Sequence, residues 1–397
     1  MSNATTVRSV PPSAVPQPES RDSARMLALD VLRGFTMFWI IGSDSLHNAF
    51  KSIGEKGPAG FLANQFEHRS WEGFVFYDLI FPMFIFIIGI SLVFSLQKIV
   101  KTEGKAQAYR RVFNRFILLF LLGVFYDEGM LKLFEYANDD KLEGLKWWVW
   151  DENELCGVLQ RLAICYFITS LLFLNLEWKG LVAVFVGITV VYWAALTFVT
   201  APGQEEHSWE RGKNIIHYID SKIPPYGGSD PESLATTPPA ITTCLLGVFV
   251  AFLIQDKKYT IQQKVLYLIA AGAVMTIVGY LWGWYGGYPI IKRLWTTTYV
   301  LVAGGYSCIL LGLFIYIIDI ARMHWWIPMF MWIGMNPLTI YMSTNIIDYQ
   351  RLARRFVGGP IEDLAGPYGP LLIAIVALTI SILIVRWMYY KRIFIRL

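Results

Sequence analysis

Residues 66–94 read FEHRSWEGFVFYDLIFPMFIFIIGISLVF, and this stretch decides the fold class. Between residues 73 and 96 the chain carries one charged side chain, that of Asp78. About 20 consecutive apolar residues are enough for a helix to cross the hydrocarbon core of a bilayer. The stretch therefore predicts a membrane-spanning helix that begins just after a polar segment containing His68.

The rest of the sequence repeats this alternation of long apolar runs and short polar connections. Hydrophobic residues make up 55% of the 397 residues and charged residues only 16%, which is typical of a polytopic membrane protein and not of a soluble domain. We predict an all-α bundle of about ten transmembrane helices. The expected spans cover residues 27–50, 73–96 and 116–125, one from about 155, one ending near 200, 240–254, 265–282, 294–318, one interrupted at Pro337, and 368–388.

Residues 1–25 are polar and rich in Pro and Ser, without the apolar segment of a signal peptide. We expect a disordered cytoplasmic tail there, and a single transmembrane domain over residues 26–397. The net charge of +4 reflects membrane topology, so we expect the lipid bilayer and no nucleic acid as a partner. Neither a Walker loop nor a dinucleotide or zinc motif is present, and we predict no metal site. The cysteines lack metal-binding spacing, and the three that lie within apolar runs are expected to be packing residues. The four cysteines are Cys156, Cys165, Cys244 and Cys308.

Basic connections indicate how the chain crosses the membrane. The segments 98–115, 257–264 and 386–396 are rich in Lys and Arg, and all three fall on one side if there are ten spans. By the positive-inside rule both termini are then cytoplasmic, and we expect a bacterial inner membrane protein. The arginines of residues 351–355 are an exception, because they fall on the outer side. His68 also lies on the outer side.

The clearest candidate for chemistry is His68 together with Asp78. Ionisable residues within membrane helices are costly and are read first as functional. An imidazole at the membrane rim above a half-buried carboxylate is suited to proton transfer. The alternative is an interfacial histidine that hydrogen-bonds to a loop carbonyl.

Further polar side chains lie at membrane depth in later helices. Gln160 and Arg161 occupy the outer part of the fourth predicted span, and Asn336 occupies the ninth. An arginine at that depth must face a cavity or an anion, because lipid does not tolerate it. The alternative is a structural pair between Arg161 and Asp78 that stabilises the bundle.

Two other groups of residues have competing interpretations. Asp44 and His47 end the first span one turn apart, so a local pair explains His47 better than a catalytic role does. Trp147, Trp148 and Trp150 resemble a platform for stacking sugars, but tryptophan is enriched at membrane interfaces in any case. We therefore expect these tryptophans to belong to the interfacial aromatic belt.

Five segments together resemble the transmembrane acyltransferases related to heparan-α-glucosaminide N-acetyltransferase. They occur in the order found in that family and are spread over nearly all of the predicted spans. The segments are LDVLRGFTMF at 29–38, FEHRSWEGFVFYDLIFPMFIFIIG at 66–89, WDENELCGVLQRLAICYF at 150–167, LWTTTYV at 294–300 and IGMNPLTIYM at 333–342.

This resemblance implies site residues. The family's active-site histidine lies in a His-x-Ser-Trp-x-Gly context, which matches residues 68–73 and so implies His68, with Trp71 beside it. Its aspartate before Leu-x-Phe-Pro corresponds to Asp78, and its Leu-Gln-Arg-Leu to residues 159–162. The link from the first helix to His68 is longer than expected, so the polar residue that ends this helix is assigned to Ser43 or Asp44.

The resemblance further implies an acetyl-CoA-dependent acyltransferase that acetylates an amino sugar or another sugar at the extracytoplasmic face. In acyl transfer a base removes a proton from the attacking amine or hydroxyl. His68 is the candidate base, and Asp78 orients its ring or holds its protonated form. Gln160, Asn336 or Arg161 would stabilise the oxyanion or bind CoA phosphates. A covalent acetyl-histidine is the rival route.

Two other classes of function stay open from the sequence. A secondary transporter of a sugar or amino sugar is one, although repeated halves, which are typical of transporters, are not evident. A non-catalytic membrane subunit beside a sugar permease is the other. The sequence does not decide between N- and O-acetylation, and a homodimer is one option for the oligomeric state.

Overall fold

The computed structural model describes residues 21–136, 157–222 and 234–394. Within these ranges the chain is helical, and its only extended pairing is a single antiparallel bridge between Glu72 and Ile291. The all-α fold is thus confirmed. The helices are α1 (Arg21–Ile53), α2 (Gly57–Gln65), α3 (Phe76–Glu103), α4 (Lys105–Tyr136), α5 (Val158–Asn175), α6 (Trp178–Phe198), α7 (Ile215–Ser221), α8 (Thr237–Gln255), α9 (Ile261–Tyr285), α10 (Thr297–Ile315), α11 (Ile327–Met335), α12 (Pro337–Ile346), α13 (Tyr349–Val357), α14 (Pro360–Ala365) and α15 (Gly369–Tyr390).

Seven helical stretches in the described ranges are long and apolar enough to cross a membrane, which confirms a polytopic membrane protein. They contain α3, α5, α6, α8, α9, α10 and α15. The other three predicted spans correspond to α1, to α4 and to the pair α11–α12. Of these, α1 and α4 have 33 and 32 residues but carry several charged side chains, and α11 and α12 are short. The number of about ten therefore stays a prediction.

The helix that follows His68 lies at the centre of the bundle. Of the 18-residue apolar segment of each helix, 72% is buried in α3 and 78% in the stretch containing α8, against 17% in α6 and 22% in α9. Apolar side chains that remain exposed along α6 and α9 are typical of helices that face lipid. Since α3 is surrounded by protein, polar side chains at its start face other helices and not lipid.

Glycines allow the central helices to approach closely. A side chain on Gly89 of α3 or on Gly247 of α8 would collide with a backbone carbonyl of the opposite helix, and the same holds for Gly34 of α1 and Gly334 of α11. Small residues at such crossings let membrane helices pack backbone to backbone. These two crossings fix α3 against α8 and α1 against α11.

The predicted interruption of the ninth span occurs at Asn336. Helix α11 ends at Met335 and α12 begins at Pro337, with Asn336 at φ −132° and ψ 47° between them. Proline lacks the N–H that would continue the helical ladder, so it opens a new helix instead.

Of the expected tail, residues 1–20 lie outside the described ranges, and α1 begins at Arg21. The division into a tail and one transmembrane domain stays a prediction.

Candidate functional site

His68 lies in the connection between α2 and α3, and this connection is held at both ends. Gln65 Oε1 accepts a hydrogen bond from the Phe76 N–H at 3.1 Å, which ties the end of α2 to the start of α3. The Gly73 N–H donates to the Ile290 carbonyl at 2.9 Å, next to the bridge between Glu72 and Ile291. Gly73 has φ +113°, a backbone conformation that residues other than glycine rarely adopt. The connection therefore meets the α9–α10 loop in a fixed register.

Asp78 is the third residue of α3, and its side chain is completely buried. Its Oδ2 accepts from the Val75 N–H at 3.2 Å, one of the amides at the start of the helix that has no partner within it. Its Oδ1 lies 2.8 Å from His68 Nδ1. A carboxylate at a helix N-terminus is stabilised by the helix dipole, so the start of α3 favours a negative charge directly beneath the imidazole.

The contact with Asp78 indicates which nitrogen of the His68 imidazole carries the hydrogen. Because an ionised carboxylate only accepts, we assign the hydrogen to Nδ1, which then donates to Asp78 Oδ1. The second ring nitrogen, Nε2, then carries a lone pair. The side chain is 41% exposed, which leaves an approach to the ring from outside the bundle.

Both faces of the His68 ring are covered. The Tyr77 ring stacks on one face, with the ring centroids 4.2 Å apart and the planes inclined by 12°. Lys292 Nζ lies 3.1 Å from Nδ1 and 3.1 Å from Nε2. A point equally near to both nitrogens cannot lie in the ring plane, because the carbon between them would be in the way. The ammonium therefore lies against the face opposite Tyr77.

Lys292 is the residue of this cluster that sequence reasoning missed. Its side chain is 8% exposed, and Nζ lies 4.0 Å from Asp78 Oδ1. A signal was present in the sequence, because Lys292 and Arg293 form a basic pair at the expected outer end of a span, against the positive-inside rule.

The turn that carries Lys292 is rigid. The Trp295 N–H donates to the Lys292 carbonyl at 2.9 Å, and the Ile291 N–H donates to Thr296 Oγ1 at 3.1 Å. Trp295 is fully buried and has φ +50°, which is uncommon for a residue other than glycine. Such a conformation costs about 1–3 kcal/mol and is found where the surroundings over-determine the backbone. The Tyr299 hydroxyl adds a bond of 2.7 Å to the Asp78 carbonyl.

Arg161 lies behind this turn and not against Asp78. Its NH2 donates to Thr236 Oγ1 at 2.7 Å, and its guanidinium lies 5.2 Å from the centre of the Trp295 indole ring. In the described part of the chain the Asp78 carboxylate contacts His68, the Val75 N–H and Lys292. The structure therefore does not form the Arg161–Asp78 pair that was the alternative interpretation.

The other two polar side chains expected at membrane depth are also buried. Gln160 precedes Arg161 on α5, and its side chain fills the space beside Gly123 of α4. Asn336 occupies the break between α11 and α12. Among the described residues, neither side chain forms a hydrogen bond with His68 or Asp78. Gln160, Arg161 and Asn336 are all buried inside the bundle.

Trp71 contacts the segment after α6. Its Nε1–H donates to the Trp209 carbonyl at 2.8 Å, and its ring lies 5.9 Å from that of His217. It therefore anchors the connection carrying His68 to this segment. The interfacial tryptophans Trp147, Trp148 and Trp150 lie outside the described residues.

Asp44 is exposed and lines a cavity of about 670 Å³ at the C-terminal end of α1. Tyr77, which stacks on His68, lies near Ser43, the residue before Asp44. The other polar side chains around the cavity come mainly from α12, α13 and the residues between them: Ser45, Thr344, Asn345, Asp348, Gln350, Arg351 and Arg354.

His47 has partners of its own. Its Nδ1 lies 2.9 Å from the Ala63 carbonyl, and its Nε2 lies 3.8 Å from Glu67 Oε2. The structural interpretation of His47 agrees with these contacts, although the partners are Ala63 and Glu67 and not Asp44.

Comparison with known proteins gives two significant similarities. Heparan-alpha-glucosaminide N-acetyltransferase of Mus musculus is 22% identical over 404 residues, covering 86% of this chain and 57% of the mouse protein. The protein of the same name from Homo sapiens is 31% identical over 108 residues, or 27% of this chain and 14% of the human protein. No family model matches the chain. The chain thus spans little more than half of the mouse relative, and the resemblance found in the sequence is confirmed at a distant level: the protein is a distant relative of the heparan-alpha-glucosaminide N-acetyltransferases.

Proposed function

We propose that the protein is a membrane acetyltransferase that moves the acetyl group of acetyl-CoA to an amino sugar or another sugar at the extracytoplasmic face. The observation that supports this most directly is the His68–Asp78 pair, an exposed imidazole bonded at 2.8 Å to a fully buried carboxylate. The distant similarity to proteins named N-acetyltransferases points to the same chemistry.

The pair is suited to general base catalysis. Because Nδ1–H donates to Asp78, Nε2 is the nitrogen that presents a lone pair to a substrate. In the proposed reaction the acceptor nitrogen or oxygen attacks the thioester carbonyl carbon, and Nε2 takes its proton. The carbonyl electrons move to oxygen, then return as the carbon–sulfur bond breaks. The leaving thiolate takes the proton back from Nε2, which yields the acetylated acceptor, free CoA and neutral His68.

Asp78 holds the ring in this arrangement. Its position at the start of α3 is fixed by the Val75 N–H and by the Tyr299 hydroxyl, which binds its backbone carbonyl. When the imidazole becomes positively charged, the carboxylate beside Nδ1 stabilises it, as in other triads that pair a histidine with a carboxylate. The same Nε2 would be the nucleophile in a covalent route, so acetyl-His68 is the rival intermediate.

The cavity beside Asp44 is the proposed acceptor site. Asp44 and Ser45 line it at the end of α1, and Tyr77, which stacks on His68, lies near the adjacent Ser43. A carboxylate accepts hydrogen bonds from sugar hydroxyls and attracts an ammonium group. Trp71 is proposed to contact the acceptor from the other side of the connection, where its ring is half-buried.

The donor is proposed to lie toward Gln160, Arg161 and Asn336. All three are buried polar side chains, and such groups are retained in membrane bundles where they line a path or bind a partner. Arg161 presents a planar guanidinium that suits phosphate or carboxylate groups of CoA.

A secondary transporter is the second candidate, and the broken helix α11–α12 is the observation that favours it. The two functions differ in what happens to the sugar. A transporter moves it across the bilayer unchanged, whereas a transferase returns it with an additional acetyl group. Proton-coupled transporters also use histidine and carboxylate side chains as proton relays, so the distant similarity to proteins named N-acetyltransferases is what favours the transferase.

The test uses the purified full chain in lipid nanodiscs, acetyl-CoA labelled on the acetyl group, and a panel of amino sugars and neutral sugars. We expect labelled acetyl on at least one sugar, with equimolar release of CoA thiol. N- and O-acetylated products have the same mass, so they are distinguished by mild alkaline hydrolysis. Uptake of unmodified sugar into proteoliposomes, with no acetylated product and no CoA release, would contradict the proposal.

A further inference from the structure

The ion pair between Lys292 and Asp78 is longer than a direct charge-assisted hydrogen bond. Charge-assisted hydrogen bonds between an ammonium and a carboxylate are about 2.7–2.9 Å long, whereas Nζ lies 4.0 Å from Asp78 Oδ1. The same Nζ is 3.1 Å from each nitrogen of His68. The ammonium therefore lies closer to the imidazole than to the carboxylate, and it covers the ring face next to Nε2.

We propose that Lys292 is the cation that stabilises the negatively charged oxygen formed in acetyl transfer. This inference rests on the proposed function and adds a residue to it. When the acceptor attacks, the thioester carbonyl becomes a tetrahedral carbon bearing an oxyanion, while Nε2 takes the acceptor proton. The carbon–sulfur bond then breaks, and the oxyanion becomes the carbonyl of the product. Lys292 keeps its proton throughout and supplies charge alone.

The geometry of the cluster places the charge correctly for this role. An acceptor hydrogen-bonded to Nε2 lies close to the plane of the ring, and the attacked carbonyl lies beyond it. Tyr77 covers one face, so the carbonyl oxygen can turn toward a cation only on the other face, where Nζ lies. The residues first expected to stabilise the oxyanion, Gln160, Arg161 and Asn336, do not contact His68 in the described part of the chain.

The turn around Lys292 also meets the second requirement of such a group, which is that it be fixed before the reaction begins. The bridge between Glu72 and Ile291 sets the register of the two connections. The strained Trp295 closes the turn onto the Lys292 carbonyl at 2.9 Å. With 8% of its side chain exposed, Lys292 acts in a site with little water, where a charge is less screened.

The test compares Lys292→Gln, Lys292→Arg and a control, Arg293→Gln, which removes the same charge from the adjacent position. Removing one group that stabilises an oxyanion lowers kcat by about 100- to 1,000-fold. We expect a fall of this size in Lys292→Gln with KM for acetyl-CoA changed by less than about threefold, as holds for an interaction made only in the transition state. The kcat of Lys292→Arg should be at least about tenfold higher than that of Lys292→Gln, and Arg293→Gln should keep wild-type kcat.

Three outcomes would overturn the inference: wild-type kcat in Lys292→Gln, an equal loss in Lys292→Arg and Lys292→Gln, or a loss as large in Arg293→Gln. If the glutamine variant does not fold, Lys292→Met replaces it, because methionine keeps an unbranched apolar stem without the charge. His68→Ala, assayed in parallel, distinguishes failure of the Lys292 inference from failure of the proposed function. If His68→Ala is inactive and Lys292→Gln is fully active, only the proposed role of Lys292 is refuted. If His68→Ala is active, the proposed role of His68 as the base is refuted as well.

Discussion

His68 Nδ1 and Asp78 Oδ1 are 2.8 Å apart, although the two residues are separated by a bend in the chain and by the first turn of α3. The bond joins an exposed ring to a buried carboxylate, and it determines which ring nitrogen carries the proton. The proposed chemistry depends on this assignment, and so the predictions start from it.

Asp78→Asn should abolish the base without unfolding the protein. The asparagine Oδ1 can still accept from the Val75 N–H, but its NH₂ would donate to His68 Nδ1 and place the ring hydrogen on Nε2. We expect kcat to fall by about 10²–10⁴-fold, as for other histidines held in the wrong tautomer. Asp363→Asn, at an exposed position on α14, is the matched control. Near-normal kcat in Asp78→Asn, measured with labelled acetyl-CoA, would show that Asp78 serves only to cap α3.

Arg161 offers a test of donor binding that is independent of Asp78. If the guanidinium binds CoA, Arg161→Lys keeps the charge but loses the planar fork, and donor binding should weaken by about 1.5–3 kcal/mol. Calorimetric titration with CoA measures this. Unchanged affinity would assign Arg161 a structural role without a part in donor binding.

The double variant Arg161→Gln, Asp78→Asn separates the remaining structural interpretation. Arg161 stacks on Trp295 and bonds to Thr236, so Arg161→Gln should lower the melting temperature through the loss of these contacts. Because Asp78 is paired with His68 and Lys292, adding Asp78→Asn should not restore it. Recovery of the melting temperature in the double variant would reveal a coupling between Arg161 and Asp78 that the structure does not contain.

Gly89→Ala should destabilise the bundle because its methyl group would collide with the Cys244 carbonyl of α8. Forcing a group into a packed contact costs about 1–3 kcal/mol. Gly187 of α6 is the control, since an added methyl there meets nothing within 4 Å, and alanine is the better helix former. We expect a lower melting temperature for Gly89→Ala and an equal or higher one for Gly187→Ala. Equal stability of the two variants would contradict the close α3–α8 crossing.

Both termini are predicted to be cytoplasmic, because three basic connections agree on that side. Cysteines introduced at Ser2 and at Arg396 should react with a membrane-impermeant maleimide only after the cells are opened. A cysteine at His207, in the segment after α6, should react in intact cells. Labelling at Ser2 in intact cells would reverse the orientation and place His68 on the cytoplasmic side, whereas labelling at Arg396 alone would mean an odd number of spans.

The sequence predicts best where the interaction is local. His68 and Asp78 are ten residues apart around one helix start, so their proximity follows from the apolar run that begins between them. The break at Asn336 was likewise predictable, since a proline without an N–H interrupts the ladder within one turn. The distant resemblance then indicated which histidine to examine.

Lys292 lies 224 residues from His68, and no local pattern connects them. Their contact depends on α10 packing against α3 through Tyr299 and on the bridge at Ile291. The position of Arg161 behind Trp295 depends on the same packing. The span count was hardest to predict for α1 and α4, whose charged residues weaken the hydropathy signal although the helices are long.

The most direct test of the central proposal is the rate of acetyl transfer by His68→Ala. The control is His207→Ala, which changes an exposed histidine in the segment after α6. Both variants and the wild type are purified in nanodiscs, shown to have the same melting temperature, and given labelled acetyl-CoA with the acceptor found in the panel. We predict wild-type transfer by His207→Ala and a loss of at least about 100-fold in kcat for His68→Ala, the usual worth of a general base. Transfer by His68→Ala at the wild-type rate would contradict the assignment of His68 as the base.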